Sequence, residues 1–372
     1  PPAIPADADA PEAALRGRIA ASRGAVIFPP TIGWKVDLVQ RPHHLARAFA
    51  RAGYVAVFDT SNAPDGLDGF REVEPGVFLY AGPYEALGRL GGALLWTFPY
   101  NYHLRARHPP ETRVVYDWID DLSVFPQERS LLERNHRDAL AHATVVASVA
   151  RKLDEDARRA RPDALYLPNA VDFDHFAADV PPLDDPALSG MLAAGRPIAG
   201  YYGAFARWFD YELLDAVSRL RPDWSFLLIG PDLDGSLTGQ PLLARPNVAW
   251  IGPRSYETLP RYLRLFDVAT IPFRIDAITV RTSPLKLFEY FAGGKPVVTT
   301  PLPECMAFPE VRIAAAPADF ATALEAARRD GGDPARRERL RAAGRANSWD
   351  ARVKDVLAAL ERARSARRGG LY

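Results

Sequence analysis

The chain is short of lysine, of cysteine and of long apolar runs. Only five of its 46 basic residues are lysine (Lys35, Lys152, Lys286, Lys295 and Lys354), so a lysine inside a motif stands out against an arginine background. The lone cysteine, Cys305, excludes an internal disulfide and fits a reducing compartment. With no Cys/His cluster at zinc spacing, no metal site is expected. The longest uncharged apolar stretch, residues 91–102, falls well short of the ~20 residues needed to cross a bilayer. A surplus of one charge is missing too. Lys+Arg and Asp+Glu both total 46, which offers no net field for nucleic acid or an anionic membrane. The opening residues, PPAIPADADAPEAALRGRIA, lack the basic-then-apolar order of a signal peptide and predict a flexible leader over 1–22.

What the chain does have is core-forming material: 48% of its 372 residues are hydrophobic and 25% charged, a globular balance. That length predicts two domains. Short apolar runs (24–28, 54–59, 77–81, 93–98, 113–119, 144–148 and 164–168) alternate with Arg/Ala-rich helical stretches such as 41–52 and 127–142. After a Pro/Gly/Asp-rich interruption, the rhythm restarts at 197–205, 225–230, 248–252, 268–273, 296–300 and 312–316. Alternation of this kind predicts an α/β chain of two tandem doubly wound, Rossmann-like domains. The boundaries read as an N-terminal domain over 23–179, a linker over 180–196, a C-terminal domain over 197–347, and a closing helix with a basic tail over 348–372. Ligands of such sheets bind beyond the carboxyl ends of the strands, which points to a cleft faced by both domains.

The richest stretch is RTSPLKLFEYFAGGKPVVTT, residues 281–300. Ser283 suits an N-cap, Pro284 the first helical position, and Gly293-Gly294 a stop about three turns later. Free amides at such a helix start make an anion site, and Lys286 in the first turn opposes the helix dipole unless an anion lies between them. Glu289, three residues on, shares its face and suits a vicinal diol such as ribose. A solvated Lys286–Glu289 pair is the plain alternative.

In these residues the chain resembles the GT-B-fold glycosyltransferases, and among them the retaining family-4 type that uses nucleotide sugars. SPLKLFEYFAGGKPVVTT is similar to the family's donor signature, in which an acidic residue and a second Glu stand eight positions apart. Glu289 matches the second, the ribose-binding Glu, while Arg281 occupies the first. LPNAVDFDHF (167–176), GYYGAFARWFD (200–210), YETLPRYLRLFDVATIPF (256–273), SWDARVKDVLAAL (348–360) and VDLVQRPHHLARAFARAGYVAVF (36–58) resemble further family segments in order.

The resemblance implies donor contacts from Gly203, Arg207, Gly252, Tyr256, Ser283, Pro284, Leu285, Lys286 and Glu289. Arg207 and Lys286 would offset the charge of the leaving diphosphate, and Asp120 and Asp121, after a strand, would face the donor sugar. Gly200 and Gly203 permit close backbone approach to a ligand. Trp34, His43, His44, Tyr100 and Tyr102 are the candidates for the acceptor. Asp172/Asp174 and Asp232/Asp234 imitate a metal-binding Asp-X-Asp but read as loop carboxylates. The expectation is therefore a cytoplasmic, metal-independent transferase, without a separate cofactor or a nucleic-acid partner. It would move a sugar from a UDP- or GDP-linked donor to a glycan or lipid-linked acceptor, with peripheral contact at the inner membrane face. A GT-B sugar-nucleotide epimerase and a catalytically silent binding subunit stay open.

Overall fold

The computed structural model describes residues 9–36, 38–63, 66–181, 183 and 185–369. It divides into two compact units, one reaching Pro168 and resuming at Trp349, the other spanning Asn169–Ser348.

The first unit is built on strands β1 (Ala25–Phe28), β2 (Val55–Asp59), β3 (Gly69–Glu74), β4 (Val77–Ala81), β5 (Leu94–Thr97), β6 (Arg113–Trp118), β7 (Val145–Ser148) and β8 (Leu165–Tyr166). They lie in the order β3-β4-β2-β1-β5-β6-β7-β8, all parallel except β3, which is antiparallel to β4. Each expected run became a strand, and all positions of β1, β2, β5 and β7 are buried, as a sheet covered on both faces requires. The unforeseen strand is β3. Its Arg71, Glu72 and Val73 are exposed because an edge strand needs no apolar face to be held, only the hairpin closed by Gly76 at φ +79°.

The second unit holds β9 (Ile198–Tyr202), β10 (Ser225–Ile229), β11 (Val248–Trp250), β12 (Val268–Ile271), β13 (Val297–Thr299) and β14 (Arg312–Ile313). Their order is β11-β10-β9-β12-β13-β14, entirely parallel. In chain order this is 3-2-1-4-5-6, the doubly wound arrangement, with its switch point between β9 and β12.

Four boundary expectations need correction. Residues 9–20 of the supposed leader form a helix whose Leu15 is fully buried and whose Arg18 pairs with Glu72 at 2.6 Å; residues 1–8 lie outside the described set. The supposed linker belongs to the second unit. Leu188 is buried there, and Asp185 accepts from Arg254 (3.0 Å) and the Tyr262 hydroxyl (2.6 Å), so polar composition concealed an anchored segment. The division itself falls at Pro168–Asn169, before the expected boundary at 179. The last helix, Trp349–Gly369, belongs to the first unit, where Trp349 stacks on His44 at 5.1 Å and Asp350 pairs with Arg51 at 2.9 Å. None of the described helices is long and apolar enough to cross a membrane.

Candidate functional site

The strand order of the second sheet reverses between β9 and β12, and ligands of doubly wound sheets bind beyond the carboxyl ends of the strands at such a switch point. The β9 loop is tied to its neighbour after β10. The Gly203 amide donates to the Ile229 carbonyl (2.9 Å), Phe205 to Pro231 (2.9 Å), Leu233 to Phe205 (2.8 Å), and Gly230 to Gly252 (2.9 Å). Two glycines make this closure possible. Gly230 has φ +142°, and a methyl there would lie 1.9 Å from the Gly203 carbonyl oxygen. Gly203 has φ +130°, and a methyl there would lie 2.8 Å from Lys286 Cε and 3.2 Å from Nζ. Bare backbone therefore reaches the lysine. Gly200 instead faces the Phe266 ring, 2.2 Å from where a methyl would sit, so its role is packing and not ligand approach.

The β12 loop leads into the helix Leu285–Ala292, two turns and not three. Its N-cap is Pro284 and not Ser283, whose hydroxyl accepts from the Asn169 amide (3.2 Å) and whose carbonyl accepts from Asn169 Nδ2 (2.7 Å). No side chain caps this N-terminus, so its first amides keep their donors for something else. The paired glycines do end the helix. Gly294, at φ +68°, donates to Phe291 (2.8 Å) and Lys295 to Tyr290 (2.9 Å), the Schellman pattern.

Lys286 and Glu289 project together, as their spacing requires. The Lys286 ammonium stands 5.3 Å from the Tyr201 ring centroid and 5.1 Å from that of Phe273, and among the described residues it makes no hydrogen bond or ion pair. Burial lowers its pKa, opposed by the nearby Glu289 charge. Glu289, 3% exposed, is raised by burial and held back by Lys286 and the Tyr202 hydroxyl. A cation resting on aromatic faces beside uncapped amides is suited to an anion.

Arg207 is exposed four residues beyond Gly203, its amide donating to Asp234 Oδ2 at 3.0 Å. Asp232 is occupied by the Thr238 hydroxyl (2.7 Å) and amide (2.9 Å), so both carboxylates brace the loop. Asp172 is the N-cap of the helix Phe173–Ala177, which also carries Asp174. Arg281 turns its guanidinium onto the Ala277 carbonyl (2.8 Å) of its own loop. Tyr256, in the loop beyond Gly252, stacks on His175 at 4.6 Å and accepts His175 Nε2 at its carbonyl (3.0 Å). Leu285 is half-buried, Pro284 buried.

In the first unit, Asp120 follows β6, and burial lifts its pKa from 3.8 to about 7. Asp121 donates its amide to Asp120 (2.9 Å) and caps Ser123 (2.9 Å). Three acceptor candidates prove to be interior. His43, 1% exposed, bonds the Gly33 carbonyl (2.9 Å) and the Gln40 amide (3.2 Å). His44, 2% exposed, lies against Trp349, and Tyr102 packs edge-on to Tyr116 at 5.7 Å. The rings of His43 and Tyr102 pack against the covered sheet, on Phe58 and Tyr116, and so serve the core. Trp34 and Tyr100 remain half-buried, Tyr100 bonded to the Thr31 hydroxyl at 2.5 Å.

Sequence reasoning passed over Gly230, Phe273 and the individual roles of Tyr201 and Tyr202. The repeated run of apolar strand then glycine, ending at 203, 230 and 252, was the available signal for the first. Among the described residues no three His, Cys, Asp or Glu side chains gather as they would around a metal ion.

Residues 196–330 match the family of glycosyl transferases group 1. A putative teichuronic acid biosynthesis glycosyltransferase, TuaH, of Bacillus subtilis is 29% identical over 213 residues, 56% of this chain and 53% of the relative. The chain thus spans about half the length of the curated relative it matches. Among solved structures, sucrose-phosphate synthase of Thermosynechococcus elongatus aligns over 92% of this chain and 98% of its own, with TM-score 0.64 and 20% identity. Anabaena HepE in complex with UDP and glucose aligns over 90% and 99%, with TM-score 0.60 and 15% identity. The E. coli trehalose-6-phosphate structure bound with UDP-2-fluoro glucose aligns over 90% and 98%, with TM-score 0.64 and 10% identity. Residues 196–330 thus match the group 1 glycosyl transferases, and the chain as a whole carries the GT-B fold that its motifs resemble.

Proposed function

We propose that the protein transfers a sugar from a nucleoside-diphosphate sugar to a glycan or lipid-linked acceptor, with retention at the anomeric carbon. The observation that carries this is Lys286, a half-buried ammonium without an anionic partner other than Glu289, set at the start of a helix beside the bare backbone of Gly203. A diphosphate fits that place. As the bond from the anomeric carbon to the diphosphate oxygen breaks, Lys286, Arg207 and the helix amides neutralise the leaving charge. The acceptor oxygen bonds to the same face, and its proton leaves with the departing phosphate. UDP in the HepE and E. coli structures favours a uridine donor.

Glu289 holds the ribose in this reading. Glu289→Ala should weaken UDP binding by ~1.5–3 kcal/mol, the size of a hydrogen bond to a charged group. Calorimetric titration checks this, and unchanged affinity in a folded variant removes Glu289 from the site. The reading calls for no metal ion, so transfer should continue undiminished in excess chelator. Release of free UDP from UDP-sugars tests the whole proposal. An epimerase would interconvert the donors instead, and a silent subunit would do neither.

A further inference from the structure

Tyr202, the last residue of β9, is 2% exposed, and its hydroxyl is buried without a hydrogen bond of good geometry. Hydroxyls in that state are scarce in folded proteins. The ring has no freedom to turn the hydroxyl elsewhere. It packs edge-on to Tyr290 at 5.0 Å, stacks with Phe176 at 6.2 Å and meets Phe266 at 6.1 Å, while its own amide donates to the Tyr290 hydroxyl at 3.3 Å. The charge that acts on the Tyr202 hydroxyl is that of the Glu289 carboxylate, which adds to burial in raising the phenol and is itself held down by the hydroxyl.

We propose that Tyr202 is a positioning residue for Glu289: its hydroxyl donates to one carboxylate oxygen and so fixes the orientation in which Glu289 receives a vicinal diol. The proposal rests on the reading of Glu289 given above. It gives the two consecutive tyrosines of β9 separate tasks. Tyr201 lies under the Lys286 ammonium, and Tyr202 lies beside the carboxylate on the next turn of the same helix. A tyrosine serving only the core would be replaced by phenylalanine with no effect on ligand choice.

The test is Tyr202→Phe, with Glu289→Gln as the comparison, titrated calorimetrically with UDP and 2′-deoxy-UDP, or with GDP and 2′-deoxy-GDP if wild type binds GDP more tightly. Wild type should prefer the ribonucleotide by at least about tenfold. Tyr202→Phe should lose roughly tenfold in affinity for it, one hydrogen bond to a charged group, while the deoxy form is hardly affected. The preference then collapses as it does in Glu289→Gln. A cooperative ligand-free melting transition in both variants shows that they fold. A preference kept in Tyr202→Phe, or an equal loss for both ligands, overturns the role of Tyr202 alone. Wild type that binds both ligands alike, or binds none, overturns the reading of Glu289 and this proposal with it.

Discussion

Replacing Lys286 with methionine should lower the turnover of sugar transfer by about 100-fold or more, with a much smaller change in affinity for the UDP-sugar. Methionine keeps an apolar stem between the Tyr201 and Phe273 rings and removes only the charge, so the packing of the helix should survive. The split between turnover and affinity follows from when the charge is needed, because the diphosphate gains its full negative charge as the glycosidic bond breaks. Steady-state kinetics with a UDP-sugar checks it. A rise in KM at constant kcat would assign Lys286 to ground-state binding instead. The lysine also sets an alkaline limit. Burial lowers its pKa from 10.5, so kcat/KM in the free enzyme should fall off at a pH below the ordinary lysine range.

Arg41→Met should cost about 3–5 kcal/mol of stability. Asp117 on β6 has no exposure and accepts from Arg41 Nε (2.7 Å), Arg41 Nη2 (3.0 Å) and Trp96 Nε1 (3.0 Å), and Arg41 also donates to the Leu167 carbonyl (3.0 Å). Without the guanidinium, a carboxylate is stranded in the sheet. Burial already raises the folded pKa of Asp117 above its unfolded value, and loss of Arg41 raises it further. A raised carboxyl pKa lowers native stability as pH climbs through the window between the unfolded and folded values. The deficit against wild type should therefore be least at acid pH, where Asp117 is protonated in both proteins. It should widen as pH rises through the wild-type folded pKa towards that of the variant. Urea unfolding at several pH values measures this. Removing both charges with Asp117→Leu should recover much of the loss.

The parallel strands were readable because both of their faces are buried, which leaves continuous apolar runs such as VFLYA and SFLLI. The helix carrying Lys286 and Glu289 was readable from its pattern of proline and glycine, although Asn169 took Ser283 away from the capping role by bonding both its hydroxyl and its carbonyl. Sequence cannot display such a partner 114 positions distant. The same limit misplaced His43 and His44. Adjacent polar residues after a loop suggest a surface, but Gly33 and Gln40 on one side and Trp349 on the other enclose them. Trp349 comes from the opposite end of the chain, and no local pattern announces it. The segment 180–196 failed for the converse reason, since its anchors are polar bonds from Asp185 to Arg254 and Tyr262 and not an apolar stripe.

The paired crossing between the units has a consequence for synthesis. Val171 forms a bridge with Ser348, and its amide donates to the Asn347 carbonyl at 3.0 Å, so the second unit begins and ends at one place and is an uninterrupted stretch of chain. The first unit is not. Its early helix Arg41–Arg51 is made long before Trp349 and Asp350, the residues against which His44 and Arg51 rest. A growing chain can complete the second unit once Ser348 has emerged, while the first waits for the last helix. Chains shortened to end just past Ser348 should accordingly protect the second unit from protease, and the Arg41–Arg51 region should be resistant only when the terminal helix is present.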